Sequence, residues 1–497
     1  MGLVQKDALR TTLISSFGLV LGYLNKGLLF LLIFSTEQIG VVNLIFSLGV
    51  LFAQFSNLGS LYSIWKFFPF FKNRDKAHHG FLAFMLILVG IGAICVTAFF
   101  LMFSSRIQAA YLEKSPLFLE YYYWVIPLGL GYLLYLVFEV YLRALFKNII
   151  SVFALDIVLR LAVTLLLLLF WNGSLSFDQF VAGHSLLFFL PPLILIGYLI
   201  RIKEFYIHPK HIQISKRFKK ILLNYSGYNY INSLGGVLVN SLDVIMIAQY
   251  IGLKATGVYT TIIFLTSALQ VPYKSLIRVS APLVAEYWKT RDLIKMRQLY
   301  AQVSSVSLVL GLGLFLVVWV NIDFLFSFLK PEFSTGIGVF FFLMIGRLFD
   351  MYFGLNGAIF NTSKKYRYDL IFTLSLIIIV YVLNLYLIPI YGIEGAAIST
   401  AIALVIYNMG RLLFVYFTYK IHPFNGRQLI VIVIGLLCFY TRSITPDLSA
   451  EPLLNALVVT SLTVLCYFGS ILVLNLEPEL KNYLRNGIRH ISKNFKS

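Results

Sequence analysis

Between Leu9 and Leu476 the chain is an almost unbroken series of apolar stretches joined by short polar turns. A helix rises about 1.5 Å per residue, so roughly 20 apolar residues cross a hydrocarbon core of about 30 Å. Lipid offers backbone amides no water, so stretches of this kind must be helices. The pattern predicts an all-α, polytopic membrane protein with little mass outside the bilayer. Composition agrees, with 59% hydrophobic and 12% charged residues, where a soluble domain carries about 25% charged. Cys95, Cys438 and Cys466 all sit in apolar runs without a CxxC spacing, which argues against metal or disulfide roles. The opening MGLVQKDALR leads into the first stretch with no small-residue cleavage site, so it reads as a retained helix.

The stretches predict about 14 spans, near 9–33, 39–65, 80–103, 117–142, 149–171, 179–200, 221–250, 256–283, 299–320, 337–360, 369–389, 392–419, 428–441 and 453–475. An even number puts both termini on one side. Of the 34 Lys and Arg outside these spans, 29 fall on the face that holds the termini. Positive charge is retained at the cytoplasm, so that face is predicted to be cytoplasmic. Most of the net charge of +19 is this topology signal plus attraction to anionic headgroups. No basic face is interleaved with stacking aromatics in a soluble module, so no nucleic-acid partner is expected.

The longest inner loop, 201–220, divides the chain after six spans, and the second half resembles the first. At an offset of 217, Gly40, Val41, Ile45 and Leu48 match Gly257, Val258, Ile262 and Leu265, and Lys26 falls against Asp243. At an offset of 213, Asn148 and Asp156 match Asn361 and Asp369. The expected organisation is an N-lobe at 1–200, a basic linker at 201–220 and a C-lobe at 221–420. Two further spans occupy 421–476, before a basic cytoplasmic tail at 477–497. Parallel six-span repeats of this kind place substrate between lobes in transporters.

The segment DVIMIAQYIGLKATGVYT, Asp243 to Thr260, carries an acid late in a span, an apolar run, a Gly-containing turn and then Gly257-Val258-Tyr259. With IGVVNLIFSL opening span 2, Pro282 in span 8 and GIEGAAISTAIA opening span 12, it resembles the polysaccharide-exporter branch of the MOP superfamily. That superfamily joins MATE exporters, Wzx-type O-antigen flippases and lipid II flippases. The resemblance implies a V-shaped pair of six-helix bundles alternating between inward-open and outward-open states in a bacterial inner membrane. The implied cargo is an oligosaccharide on a polyprenyl pyrophosphate, handed on to other polysaccharide assembly proteins. No cofactor is implied beyond a coupling ion, H+ or Na+. Lipid II and small molecules are the alternative cargoes.

An ionisable side chain at mid-bilayer costs about 2.5 kcal/mol or more, which makes each a functional candidate. Glu139/Arg143, Asp156/Arg160 and Arg347/Asp350 have spacings that allow pairing on one helix. Lys26 and Asp243 have no opposite charge one turn away on their own helices. Lys26 could snorkel outward and Asp243 could bond to Asn240 or Tyr230. The functional alternative has both facing a central cavity and pairing across it in one state. Lys274 and Arg278 lie between Pro272 and Pro282, where kinks free backbone carbonyls. Arg411 reads as an interhelical hydrogen-bond donor.

Away from the span ends, six basic residues stand against Asp156, Asp243 and Asp350, with Glu139 nearer an end. That excess suits an anionic cargo, because guanidinium matches phosphate oxygens with a bidentate fork. The candidate substrate-binding residues are Lys26, Arg160, Arg278 and Arg347, and the candidate gating pair is Lys26 with Asp243. No P-loop, metal-ligand spacing or nucleophile elbow is present, and the outer loops are short, so an enzyme such as a glycosyltransferase is not expected.

Overall fold

The structure is a computed structural model that describes residues 3–441 and 451–478. The outer turn holding Arg442 and Thr445, and nearly all of the tail 477–497, lie outside the described residues. Every regular element among those described is helical, and eleven helices are long and apolar enough to cross a membrane. In chain order the elements are α1 (Arg10–Ile33), α2 (Thr36–Ser56) and α3 (Ser60–Phe71), followed by α4 (Phe81–Met102) and α5 (Pro116–Ala144). Next come α6 (Ile149–Trp171), α7 (Phe177–Arg201) and α8 (Lys216–Tyr250). They continue with α9 (Leu253–Ala268), α10 (Val271–Thr290), α11 (Leu293–Val320), α12 (Ile337–Phe353) and α13 (Leu355–Thr362). Last are α14 (Asp369–Tyr419), α15 (Gly426–Phe439) and α16 (Pro452–Val473).

The differences from fourteen even spans have local causes. Expected span 8 is two helices, α9 and α10, and the second carries Lys274, Arg278, Glu286 and Lys289. Expected spans 11 and 12 form the single element α14. Its 51 residues would run about 75 Å if straight, far beyond a bilayer. It breaks at Gly392, where φ is 62° and ψ is −138°, a conformation nearly exclusive to glycine. Pro389, three residues earlier, cannot donate to the helical ladder. Expected span 13 corresponds to α15, only 14 residues long.

The chain divides into two compact units. The first is Met1–Thr261 with Asn384–Ile393, and the second is Ile262–Leu383 with Glu394–Ser497. Within the first, helix starts are fixed by reciprocal caps. Ser35 accepts from the Gln38 amide while Gln38 accepts from the Ser35 amide, and Ser176 with Gln179 does the same. Such caps stabilise a helix start by about 1 kcal/mol. The 201–220 linker is docked in part: buried Glu204 takes His78 Nε2 at 2.5 Å and Arg74 Nε at 2.5 Å. Gln213 N–H donates to His79 O at 3.1 Å.

The repeat glycines have a shared task in this unit. A Cβ on Gly40 would meet Leu253 O at 2.1 Å, and one on Gly257 would meet Thr36 O at 1.9 Å. The starts of α2 and α9 therefore cross at backbone distance, each through the glycine that the repeat makes equivalent. Only a residue without Cβ permits that approach.

Candidate functional site

In the first unit, polar residues of α1, α2, α6 and α9 form two hydrogen-bonded groups. Lys26 Nζ donates to Asn43 Oδ1 at 3.1 Å and sits 4.8 Å from the Phe46 ring centroid. Asn43 Nδ2 donates in turn to Thr260 Oγ1 at 3.1 Å. Asn25, buried, donates to Arg160 O at 2.8 Å and accepts from Thr164 Oγ1 at 2.7 Å. Arg160 pairs with Asp156 at 3.0 Å and donates to Gly18 O. Lys26 and Arg160 lie within electrostatic reach of each other.

The backbone beneath these groups is unusual. α1 is π-helical over Tyr23–Leu29, which holds Lys26, and α6 is π-helical over Ala154–Leu159, which holds Asp156 and ends beside Arg160. These are the two π-helical segments among the described residues. Single π-turns are rare and cluster at functional sites, because the widened turn re-aims side chains. Gly18 and Gly22 admit α6 closely. A Cβ on Gly18 would meet Asp156 Cβ at 2.6 Å, and one on Gly22 would meet Arg160 Nη1 at 2.3 Å.

Asp243 on α8 is buried and accepts from Tyr259 at 2.5 Å and from Asn384 Nδ2 at 2.7 Å. The expected partners differ: Tyr230 donates instead to Phe55 O and Asn240 to Gly236 O. Each of the two repeat-equivalent charges is thus bonded to the following helix, Lys26 to Asn43 and Asp243 to Tyr259. Asn43 and Thr260, themselves 217 residues apart, join the two sides. Neutral polar residues carry this connection, and reading only charges passes over them; the repeat offset itself points to Asn43 and Thr260.

In the second unit, Arg347 on α12 donates to Ile263 O at 3.3 Å. Lys274, Arg347 and Asp350 act on one another electrostatically. Asp350 also accepts from Asn408 Nδ2 at 3.1 Å. Arg278 stands exposed on α10. Arg411, expected to be a simple donor, forms a buried ion pair with Asp369 at 2.6 Å, and its guanidinium lies 4.7 Å from the Tyr407 ring. The pairings Glu139–Arg143 and Asp156–Arg160 are those that the spacing predicts. The structure thus groups Lys26 with Arg160 in one unit and Arg347 with Lys274 in the other.

No protein-family model and no curated protein matches the sequence. Solved structures do match its fold. The chain is similar to the lipid II flippase MurJ in an inward closed conformation, with a TM-score of 0.69 and 13% identity over 93% of this chain and 99% of that one. It is similar to an inward-facing multidrug resistance MATE family transporter of the MOP superfamily, with a TM-score of 0.64 and 15% identity over 86% and 96%. A MOP superfamily transporter from Pyrococcus furiosus, described as having a binding pocket of reversed polarity, gives a TM-score of 0.52 and 14% identity over 89% and 98%. The chain is a multi-pass, all-α membrane protein with the fold of MOP-superfamily transporters.

Proposed function

We propose that this protein is a flippase that moves a polyprenyl-pyrophosphate-linked oligosaccharide from the cytoplasmic to the outer leaflet by alternating access, as Wzx-type exporters do. The observation that carries the reading is positive charge within the spans, Lys26 on one π-helical turn and the partly exposed Arg160 just after another. Asp156 neutralises one of those two charges, which leaves an excess for an anionic cargo. A pyrophosphate headgroup cannot shed its water into lipid unaided. Lys26, Arg160, Arg278 and Arg347 replace that hydration while the prenyl tail stays in the bilayer. Binding drives the cycle only through contacts that differ between the two states. On this reading the lobes are 1–200 and 221–420, both termini and the 201–220 linker are cytoplasmic, and the membrane is a bacterial inner membrane.

Lipid II flipping is the second reading. Lipid II presents the same combination of sugar, pyrophosphate and polyprenyl tail, and the fold is shared with a lipid II flippase. Export of cationic small molecules fits poorly with the excess of Lys and Arg over Asp and Glu deep within the predicted spans.

The test is transport in proteoliposomes that contain the full chain. A fluorescent glycosylated polyprenyl pyrophosphate should become accessible to a quencher in the opposite leaflet, and Lys26→Ala or Arg160→Ala should reduce that flux at least tenfold. Undiminished flux in all four variants, including Arg278→Ala and Arg347→Ala, sinks the electrostatic reading. Comparing lipid II with other glycosylated carriers separates the first reading from the second.

A further inference from the structure

The first unit holds a pocket of about 450 Å³ whose lining includes neither Lys26 nor Arg160. It lies toward the end of the unit that the charge bias assigns to the cytoplasm. Its working residues are Gln54, Tyr62, Trp65, Glu139, Arg143 and Ser233. Its volume falls in the range of small-molecule sites, about 300–1,000 Å³.

The fold builds this pocket at a break. α2 ends at Ser56 and the chain restarts as α3 at Ser60, passing through Gly59 at φ 76°. A Cβ on Gly59 would meet Ser226 O on α8 at 2.4 Å. The break lets α3 leave the line of α2, and Tyr62 and Trp65, three residues apart, share one side of it. α5 supplies Glu139 and Arg143, and α8 supplies Ser233.

Three features describe what the pocket would hold. The first is flat apolar surface: Trp65 keeps 55% of its area exposed and Tyr62 38%. The second is a mixed set of donors and acceptors. Gln54 Nε2 donates to Ser233 Oγ at 2.6 Å, Ser233 donates to Tyr230 O at 2.7 Å, and Tyr62 lines the same pocket. The third is charge balance. Arg143 holds Glu139 through Nε at 2.9 Å and through Nη2, and its guanidinium lies 5.7 Å from the Trp65 ring. The pair presents a donor edge and an acceptor edge with no net charge.

A pyrophosphate wants unopposed cations, and a lipid tail wants no polar wall. A sugar ring has an apolar C–H face and a rim of hydroxyls that both donate and accept, and it matches all three features. Membrane-surface anchoring would account for an exposed Trp65 alone. It does not account for Gln54 and Glu139, both buried, gathered beside it. We infer that this pocket is a carbohydrate subsite, which grips a sugar of the cargo while its pyrophosphate is bound elsewhere. The inference rests on the flippase reading above.

Its test uses the full chain in nanodiscs and two kinds of probe: farnesyl pyrophosphate, and a panel of farnesyl pyrophosphates bearing one hexose or N-acetylhexosamine. At least one glycosylated probe should bind about tenfold more tightly than the bare one. Trp65→Ala should erase that advantage and leave affinity for the bare probe within twofold, while Trp65→Phe should keep most of it. The subsite is overturned if Trp65→Ala preserves the advantage, or if it weakens both probes equally, which would mark an anion site. If the wild type binds the bare probe and gains nothing from any sugar, the subsite fails and the flippase reading stands. If it binds neither probe, the flippase reading fails and takes the subsite with it.

Discussion

Asp156 and Asp369 are matched in sequence at an offset of 213 residues, yet the two units place them differently. Asp156 pairs with Arg160 one turn along α6, and the two side chains keep 19% and 33% of their surface exposed. Asp369, at the start of α14, pairs with Arg411 far along the same element, and those side chains keep 4% and 9%. A half-open pair leaves a guanidinium that a ligand can reach. A closed pair, with the guanidinium also lying against Tyr407, is shut away inside the protein. The two matched acids thus stand in a half-open pair in one unit and in an enclosed pair in the other.

The largest effect expected from that contrast is on stability. Arg411→Ala leaves Asp369 as a lone buried carboxylate, which costs about 3–5 kcal/mol. Arg160→Ala removes a partly solvated i,i+4 pair, worth at most about 1 kcal/mol. Thermal unfolding in detergent should therefore show a large loss for the first variant and a small one for the second, with transport failing in both. The double change Asp369→Leu with Arg411→Met should recover much of the loss, because a packed apolar pair needs no desolvation. If Arg411→Ala unfolds no earlier than Arg160→Ala, the contrast between the two pairs collapses.

The contrast also assumes that the repeat is real, and the crossing of α2 and α9 tests this. Gly40→Ala and Gly257→Ala each push a Cβ into a backbone oxygen, at 2.1 Å and 1.9 Å. Overpacking against backbone that cannot rotate away costs about 1–3 kcal/mol. Equivalent positions should lose similar stability, measured by the same unfolding assay. Full tolerance at one glycine and collapse at the other would remove the equivalence.

The crossing marks how far the sequence alone carries. Gly40 and Gly257 can be matched by offset because a glycine in a membrane helix is a visible token, and the matching Lys26 and Asp243 stand out because charge is rare in lipid. All-helical spanning follows from hydropathy. What no periodicity discloses is orientation about a helix axis. Arg160 has an acid one turn away and Arg411 has none; only packing tells that Arg411 is enclosed with the distant Asp369 and that Arg160 stays half-open. The π-turns at Tyr23–Leu29 and Ala154–Leu159 are equally hidden, since one extra residue per turn leaves an apolar run looking unchanged. The division of α14 at Gly392 is legible from length, because 51 residues cannot cross once.

A third prediction sharpens the comparison between the equivalent charges. We hypothesise that Lys26 and Asp243 approach in one state and separate in the other, with the cargo's phosphate replacing Asp243 beside Lys26. Each is now bonded to its own next helix, so the exchange must break those bonds. Lys26→Ala and Asp243→Ala should each reduce transport at least tenfold. The swap Lys26→Asp with Asp243→Lys should recover membrane insertion but under a tenth of transport. Spin labels on Lys26→Cys with Asp243→Cys give the direct measurement. A separation that stays beyond about 15 Å in inward-open and outward-open states alike is too far for such a pair to act, and rules the exchange out.

The smallest change should be the most informative about Arg160. Gly22 makes room for its guanidinium, and a Cβ there would meet Nη1 at 2.3 Å and Cζ at 3.1 Å. The intruded atoms are the end of a long side chain, which can swing aside at the cost of an off-rotamer angle or two, about 0.5–1.5 kcal/mol each. Gly22→Ala should therefore lower the unfolding temperature less than Arg411→Ala does while it moves Arg160 away from Gly18 O. If the position of that charge matters to the cargo, flux should fall several-fold with both charges of the Asp156–Arg160 pair still present. Gly183 serves as the control: a Cβ there meets only Leu166 side-chain atoms, at 3.1 Å or more, and Gly183→Ala should leave transport intact. Equal transport in Gly22→Ala and Gly183→Ala would mean that Arg160 acts only through its charge at a distance, and the half-open geometry that separates it from Arg411 would have no functional meaning.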